Sequence, residues 1–382
     1  MTRILFHVQH LLGIGHLKRA SILARAMIRQ GLDVTVLSGG ENAADFDFGG
    51  ASLVALPQAR ALGQNLKTLA DETGQPLDAE FHRRRTELVL RTLALVAPHV
   101  VLIETYPFGR RAFRTELDAL ITASRAMPKR PAILASIRDI LVGKGPVREA
   151  EIVEKLRAEF DAVLVHGDPA LVRLEASFPA AGQIADLLRY TGYVCEPPLA
   201  DSGMAGSGEV IVSAGGGAVG GTLLRAALNA RPRTPLADLP WRLISGPNLP
   251  EPEFAALAAE IPQGVILERY RADLPCLLRR CRLSISQAGY NTVLDLLQSG
   301  VPAVVVPFAA SGETEQGLRA RLLAERGLLH LVEPAELDRQ TPGQALAAAI
   351  VRALAASRLP PPAIAFDGAR KSAELIAELA SR

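Results

Sequence analysis

The sequence predicts an α/β protein made of two Rossmann-like, doubly wound domains facing across a cleft, with a C-terminal helix crossing back to the N-terminal domain. Three observations carry this. Short apolar runs punctuated by Gly or Pro alternate with helix-period segments along the whole chain. The alternation stops in a Pro-, Ser- and Gly-rich stretch, residues 193–208, and then restarts. Each half opens with the same unit of strand, glycine loop and helix.

In the first half, the runs RILFHV, LDVTVLSG, ASLVALP, PHVVLIETYP, PAILASIRD, FDAVLVHGDP and RYTGYV read as strands. They are continuous rather than alternating, as expected when both faces of a parallel sheet are covered. A helix is expected over 17–30, with Leu17, Ala20, Leu23, Ala24, Met27 and Ile28 on one face and Gly31 as its cap. In the second half, EVIVSAGGG, WRLISGPN, GVILERY, RLSISQAG, PAVVVPF and LHLVEP repeat the pattern. A Pro-rich hinge, RLPPPAI, precedes a last helix over 368–380. The predicted domains are 1–197, 198–360 and a returning segment, 361–382.

Composition narrows the function classes. Of the 382 residues, 49% are hydrophobic, enough for two substantial cores. Aromatics at 4% and a net charge of +2 argue against a nucleic-acid partner. Cys195, Cys276 and Cys281 form no CxxC pair and read as reduced thiols. No apolar run is long enough to span a bilayer, and the N-terminus lacks a signal-peptide core. A cytoplasmic protein is expected, with peripheral contact at the inner membrane face left open.

The two glycine loops fail as dinucleotide sites. Gly13 and Gly15 begin a G-x-G-x-x-G pattern, but Lys18 stands where the third glycine belongs. Gly215, Gly217 and Gly220 complete the pattern in the second half. Neither following strand ends in the acidic residue a ribose requires. Glycine loops that open helices still suit phosphate, because they present free N–H groups at a positive helix end. Neither carries Gly-Lys-Ser/Thr, which excludes P-loop chemistry.

Residues 283–328 are the most informative stretch. A strand ends at Ser286, a turn centres on Gly289, and a helix carries Thr292 and Asp295. Thr292 on a first helical turn can donate to phosphate, and Asp295 one turn on can accept from ribose hydroxyls. Glu315 and Gln316, at the next strand's carboxyl end, can bond sugar hydroxyls.

These residues resemble the donor region of GT-B-fold glycosyltransferases, particularly the MurG-like group that uses UDP-N-acetylglucosamine. The matching positions are Gly289, Thr292, Asp295, Gly300, Pro302, Pro307, Phe308 and Gln316. The group's usual Glu is Asp295 here. The opening Gly-x-Gly-His resembles the group's N-terminal loop and ends in His16, and residues 213–217 resemble its second diphosphate-facing loop. The likeness covers both halves, is specific from Ser286 to Gln316, and is weak between about Gly40 and Asp186, where acceptor recognition belongs. It departs from MurG itself in lacking a run of glycines in the first loop. It implies donor contacts from Gly13, Gly15, Ser213, Gly215, Gly216, Gly217, Tyr270, Gln287, Ala288, Gly289, Asn291, Thr292, Asp295, Glu313, Glu315 and Gln316.

The resemblance further implies a metal-independent transfer of N-acetylglucosamine or another hexose from a UDP-sugar, with no cofactor. The resemblance does not carry over the acceptor, which stays open among a glycan, a lipid-linked species and a small molecule. Asp45-Phe46-Asp47, the one D-x-D, lies far in sequence from the donor loops and reads as a solvated loop. Two Glu eight residues apart near the sugar loop, a mark of retaining enzymes, are missing, which favours inversion. Inversion needs a general base. His16 is the first candidate; Glu104 and Asp139, each just past a strand, are rivals that could equally be helix caps, and His166 has similar standing. The run HRRRTELVLR, 82–91, reads as a solvated basic face or as a contact for an acidic acceptor. Two other readings share the architecture: a UDP-N-acetylglucosamine 2-epimerase or nucleotide-sugar hydrolase, and a non-catalytic nucleotide-sugar-binding protein.

Overall fold

The computed structural model describes the whole chain except residues 12–14, 42, 63–67, 197–202, 204, 216–219, 309–313, 338–340, 357–362 and 382. The chain divides into two units, Met1–Cys195 with Ile364–Arg382, and Glu196–Ala363.

In unit 1 the chain runs β1 (Arg3–Val8), α1 (Gly15–Arg29), β2 (Asp33–Ser38), β3 (Ser52–Ala55), β4 (Ala59–Ala61), β5 (Leu69–Asp71), α2 (Ala79–Val96), β6 (Val100–Glu104), α3 (Arg114–Arg125), β7 (Ala132–Arg138), α4 (Pro146–Glu159), β8 (Ala162–His166) and β9 (Leu188–Tyr190). Seven strands form one parallel sheet in the order β3-β2-β1-β6-β7-β8-β9. The order reverses direction beside β1, the place where doubly wound sheets hold ligands. Along β1, Ile4, Phe6 and Val8 enter one core with Leu17 and Leu23 of α1, while Leu5 enters the other with Leu117 of α3. Both faces are therefore apolar, which explains the unbroken hydrophobic runs. The short antiparallel pair β4-β5 has no counterpart in the sequence expectation, because three-residue strands give no periodic signal.

Unit 2 runs β10 (Val210–Ser213), α5 (Gly221–Ala230), β11 (Trp241–Ile244), α6 (Glu251–Glu260), β12 (Val265–Glu268), α7 (Leu274–Arg280), β13 (Leu283–Ser286), α8 (Tyr290–Ser299), β14 (Ala303–Val305), α9 (Glu315–Glu325), β15 (His330–Leu331), α10 (Pro334–Leu337) and α11 (Gln344–Ala355). Its six strands, also parallel, order as β12-β11-β10-β13-β14-β15, with the reversal beside β10.

The last helix, α12 (Gly368–Leu379), belongs to unit 1, where Ala373 and Ile376 join the core under α1. Its entry is stitched to the chain segment that follows β9: Tyr193 N–H donates to Ala365 O (2.7 Å) and Gly368 N–H to Tyr193 O (3.0 Å). A Cβ on Gly368 would stand 2.3 Å from Gly192 O, so only glycine permits this approach. No described helix is long and apolar enough to cross a membrane.

Candidate active site

In unit 1 the reversal of strand order brings together the carboxyl ends of β1, β6 and β7 and the start of α1. The register pairs Glu104 with Ser136 and Arg138 with His166, so these four residues lie at or near the carboxyl ends of three adjacent strands, β6, β7 and β8. His16 lies in the first turn of α1, and Arg19 follows one turn later on the same side.

Glu104 is the hub and is fully buried. His16 Nδ1 lies 2.9 Å from its Oε1, and Arg19 donates to the same oxygen. Ser136 Oγ donates to Oε2 at 2.6 Å. Burial alone would raise the Glu104 carboxyl. The Arg19 charge, with the His16 and Ser136 bonds, outweighs burial and holds it far below the usual carboxylate range. An ionised Glu104 can only accept, so the network assigns the His16 proton to Nδ1. Nε2 is then the basic nitrogen, and Arg138 Nη2 faces it at 2.7 Å. Burial first, then Arg138, Arg110 and Arg19, push His16 well below its ordinary value, leaving it neutral at pH 7.

A further layer supports Glu104. Because Ser136 donates to Glu104, it accepts from His166 Nε2 (3.0 Å), and His166 Nδ1 meets Thr191 Oγ1 at 3.0 Å. Burial pushes His166 down to about 3, so this ring is neutral. The loop after β6 carries backbone strain. Thr105 (φ 69°) and Arg110 (φ 62°) are both left-handed without being glycine, at about 1–3 kcal/mol each. Thr105 lies against the Glu104 carboxylate, 3.3 Å away.

The structure thus brings His16, Glu104 and His166 into one network. The Asp139 carboxylate accepts its neighbour Ile140's N–H (2.9 Å) and the Tyr193 hydroxyl (3.0 Å). The 82–91 run differs from expectation at Arg85, which is fully buried. Arg85 makes two bonds to Glu116 (2.6 and 2.7 Å) and donates to Gln9 and Pro57 O. His7 Nε2 completes the cluster, 3.0 Å from Glu116. One turn of the helix points this arginine inward, a distinction a run of three arginines does not reveal. Arg83, by contrast, is exposed and pairs with Glu80 and Glu87. The sequence reading also missed Arg19, Ser136 and Arg138. Arg19 was discoverable as the residue one turn after His16, and Ser136 and Arg138 as the alternate positions ending the SIRD strand.

In unit 2 the candidate donor residues collect beside β10, again at the reversal of strand order. Ser213 ends β10 and pairs with Ser286 of β13, and its carbonyl accepts from Gln287 N–H at 3.3 Å. Gly215 adopts φ +72°, and a Cβ there would lie 3.3 Å from Gln287 Oε1, so glycine serves both conformation and clearance. Ala288 is buried and Gly289 caps α8, whose first turns carry the half-buried Asn291, Thr292 and Asp295. Gly300 (φ +63°) ends the helix. Ser286 Oγ is buried, with no hydrogen-bond partner among the described residues. Gln316 Oε1 accepts from Phe308 N–H (3.1 Å), and Glu315 pairs with the buried Arg319 (2.9 Å), whose guanidinium lies 5.3 Å from the centre of the Tyr290 ring. Those bonds compete with any sugar hydroxyl for Glu315 and Gln316. Tyr270 is exposed. Gly15 begins α1 in unit 1, while Gly13, Gly216, Gly217 and Glu313 lie outside the described residues. Among the described residues no group of three His, Cys, Asp or Glu could hold a metal.

Comparison with known proteins matches part of the chain to a family. Residues 211–374 match the glycosyltransferase family 28 C-terminal domain. The chain is similar to UDP-N-acetylglucosamine–N-acetylmuramyl-(pentapeptide) pyrophosphoryl-undecaprenol N-acetylglucosamine transferases. That of Desulforudis audaxviator is 33% identical over 26% of this chain and 27% of its own length. That of Chromobacterium violaceum is 30% identical over 48% and 49%, and that of Phenylobacterium zucineum 26% identical over 87% and 86%. The chain therefore spans about a quarter to a half of the first two relatives. The crystal structures of CalG4, the calicheamicin glycosyltransferase, and of Acinetobacter baumannii MurG share its fold. Their TM-scores are 0.61 and 0.60, each at 16% identity; the alignments cover 99% of this chain and 95% and 100% of theirs. Residues 211–374 thus carry the mark of the glycosyltransferase family 28 C-terminal domain, and the chain as a whole has the GT-B fold.

Proposed function

We propose that the protein transfers a hexosyl group, N-acetylglucosamine in the first instance, from a UDP-sugar to an acceptor hydroxyl, with inversion and without a metal. The observation that carries this reading is the orientation of His16: Nδ1–H on a buried, ionised Glu104, Nε2 as the remaining basic nitrogen. Such a pair is what an inverting transfer asks of its base. The acceptor hydroxyl replaces Arg138 at Nε2 and gives its proton to that nitrogen as its oxygen attacks the anomeric carbon. The nucleoside diphosphate leaves with the bonding pair. In unit 2 the start of α8 and the Gly215 turn supply N–H groups and a positive helix end for the departing charge. Thr292 donates to phosphate and Asp295 accepts from the ribose.

Support for the donor class comes from the family 28 match over 211–374 and from the relatives, whose names specify UDP-N-acetylglucosamine as donor and a pyrophosphoryl-undecaprenol acceptor. A lipid-linked acceptor would bring the protein to the inner membrane face as a peripheral cytoplasmic enzyme. The test is a thermal-shift panel of nucleotide sugars followed by incubation of the best donor with and without acceptors. Stabilisation by a UDP-sugar and acceptor-dependent UDP release are expected. Epimer formation from UDP-N-acetylglucosamine alone would overturn transfer in favour of epimerisation.

A further inference from the structure

The two oxygens of the Glu104 carboxylate have different partners. Oε1 meets His16 Nδ1 and Arg19, while Oε2 accepts from Ser136 Oγ at 2.6 Å. Arginine–carboxylate pairs favour a fork that spans both oxygens. With Oε2 open to Arg19, the carboxylate could turn toward that fork and carry Oε1 away from His16. Ser136 occupies Oε2 and opposes the turn.

Behind Ser136 lie His166 and Thr191. Glu104, Ser136, His166 and Thr191 are each at most 1% exposed, so their polar atoms must find partners inside the protein. Counting protons gives this row a direction. An ionised Glu104 only accepts, so Ser136 spends its one proton on Oε2. The 3.0 Å contact between Ser136 Oγ and His166 Nε2 then takes its proton from the ring. Burial keeps that ring neutral, so Nδ1 carries no proton and accepts from the Thr191 hydroxyl at 3.0 Å. Three donations thus run one way, from Thr191 to His166, to Ser136, to Glu104. One carboxylate assigns opposite tautomers to two histidines, Nδ1–H in His16 and Nε2–H in His166. The Thr191 oxygen also stands 3.0 Å from Gly192 O, and a hydroxyl turned that way would break the row.

The far end of the row is fixed by backbone. Thr191 N–H donates to Val165 O (3.0 Å), and Gly192 N–H to Gly167 O (3.1 Å). A Cβ on Gly192 would lie 2.7 Å from Ala365 O, and Ala365 N–H donates to Asp168 Oδ2 at 3.0 Å. The segment leading into α12 therefore packs directly on this end.

We propose that Ser136, His166 and Thr191 are positioning residues for the transfer: their one-way row of hydrogen bonds fixes the rotation of the Glu104 carboxylate and so keeps Oε1 on His16 Nδ1. This role rests on the transferase reading with His16 as base, and the three residues act on the substrate only through Glu104.

The experiment records the imidazole nitrogen signals of the isotopically labelled full-length protein near neutral pH, assigned with His16→Ala and His166→Gln. The kcat for UDP release from a UDP-sugar and the affinity for UDP are measured on wild type, Ser136→Ala, Thr191→Val and Thr191→Ser. In wild type, His166 should be protonated at Nε2 alone and His16 at Nδ1 alone. Ser136→Ala should lower kcat about tenfold or more, as when a hydrogen bond to a charged group is removed, and give His16 mixed tautomers. Thr191→Val, which removes the donor, should lose about two- to tenfold, and Thr191→Ser, which keeps it, should recover most of that loss. UDP affinity should be unchanged throughout. If Ser136→Ala does not fold, the two Thr191 variants decide. A wild-type His166 protonated at Nδ1, or at both nitrogens, overturns the row. So do wild-type turnover in Ser136→Ala or Thr191→Val, equal losses in the two Thr191 variants, and loss of UDP affinity in parallel with kcat. A wild-type protein with these tautomers that releases no UDP from any UDP-sugar retains the row and defeats the transferase reading instead.

Discussion

His16 Nδ1 and Glu104 Oε1 lie 2.9 Å apart, and this contact decides which nitrogen of His16 is basic. The carboxylate is buried at the end of β6 and ionised by Arg19, so it holds the ring by its one proton. Replacing Glu104 with Gln breaks its buried ion pair with Arg19 and frees the ring to adopt either tautomer. A loss of about 3–5 kcal/mol in unfolding free energy is expected from breaking this buried pair. Turnover should fall in whatever protein remains folded. Urea denaturation alongside kcat checks both; an unaltered kcat would remove Glu104 from the mechanism.

The pH dependence of stability has a definite sign. His166 is lowered to about 3, and His16 is lowered well below its ordinary value. The unfolded chain protonates its histidines near pH 6.5, so between that pH and the folded values it binds more protons than the native state. The stability these neutral rings hold is complete above pH 6.5 and declines as pH falls, at up to ~1.4 kcal/mol per unit for each group. Thermal midpoints between pH 7.5 and 4.5 should drop steadily, and His166→Gln should make the slope shallower. An identical slope in that variant would mean the ring titrates normally.

Arg85 and Glu116 give a second acid-sensitive point. Burial would raise Glu116; Arg85 and His7 outweigh it and hold the carboxyl at about 2. Its contribution is therefore present above pH 4.5 and lost as pH falls toward 2. Arg85→Ala should cost about 3–5 kcal/mol by stranding this carboxylate. Arg83→Ala, two residues earlier on the exposed face, should leave the unfolding midpoint where it is. Equal effects of the two substitutions would contradict the burial of Arg85.

The contrast between Arg83 and Arg85 also marks what was legible in the sequence. Both sheets, α1 with its Gly31 stop, and the returning α12 could be read, because long apolar runs and capped helices carry strong local signals. The β4-β5 pair could not, since three residues make no period. Gly289, Thr292 and Asp295 could be picked out as donor-site candidates because they follow one another along a single strand, turn and helix. The His16 network is different. Glu104, Ser136, Arg138 and His166 come from three strands, and only the register shows that they meet. Their sequence neighbourhoods give each an equally good claim to be an isolated cap.

Donor binding should reside in unit 2 and need no metal. Asp295→Ala is expected to weaken UDP affinity about tenfold or more, as when a hydrogen bond to a charged group is lost. EDTA should leave both affinity and turnover unaltered. Unchanged UDP affinity in the variant would move the ribose contact elsewhere, and loss of activity in EDTA would return attention to Asp45 and Asp47.

The most direct test compares wild type with His16→Ala for release of UDP from a UDP-sugar, with the dissociation constant of UDP measured on both proteins. The account predicts that turnover falls about 10²–10⁴-fold, the range a general base contributes, while UDP affinity stays nearly intact. Equal release by the two proteins, or parallel loss of turnover and affinity, would contradict His16 as the base.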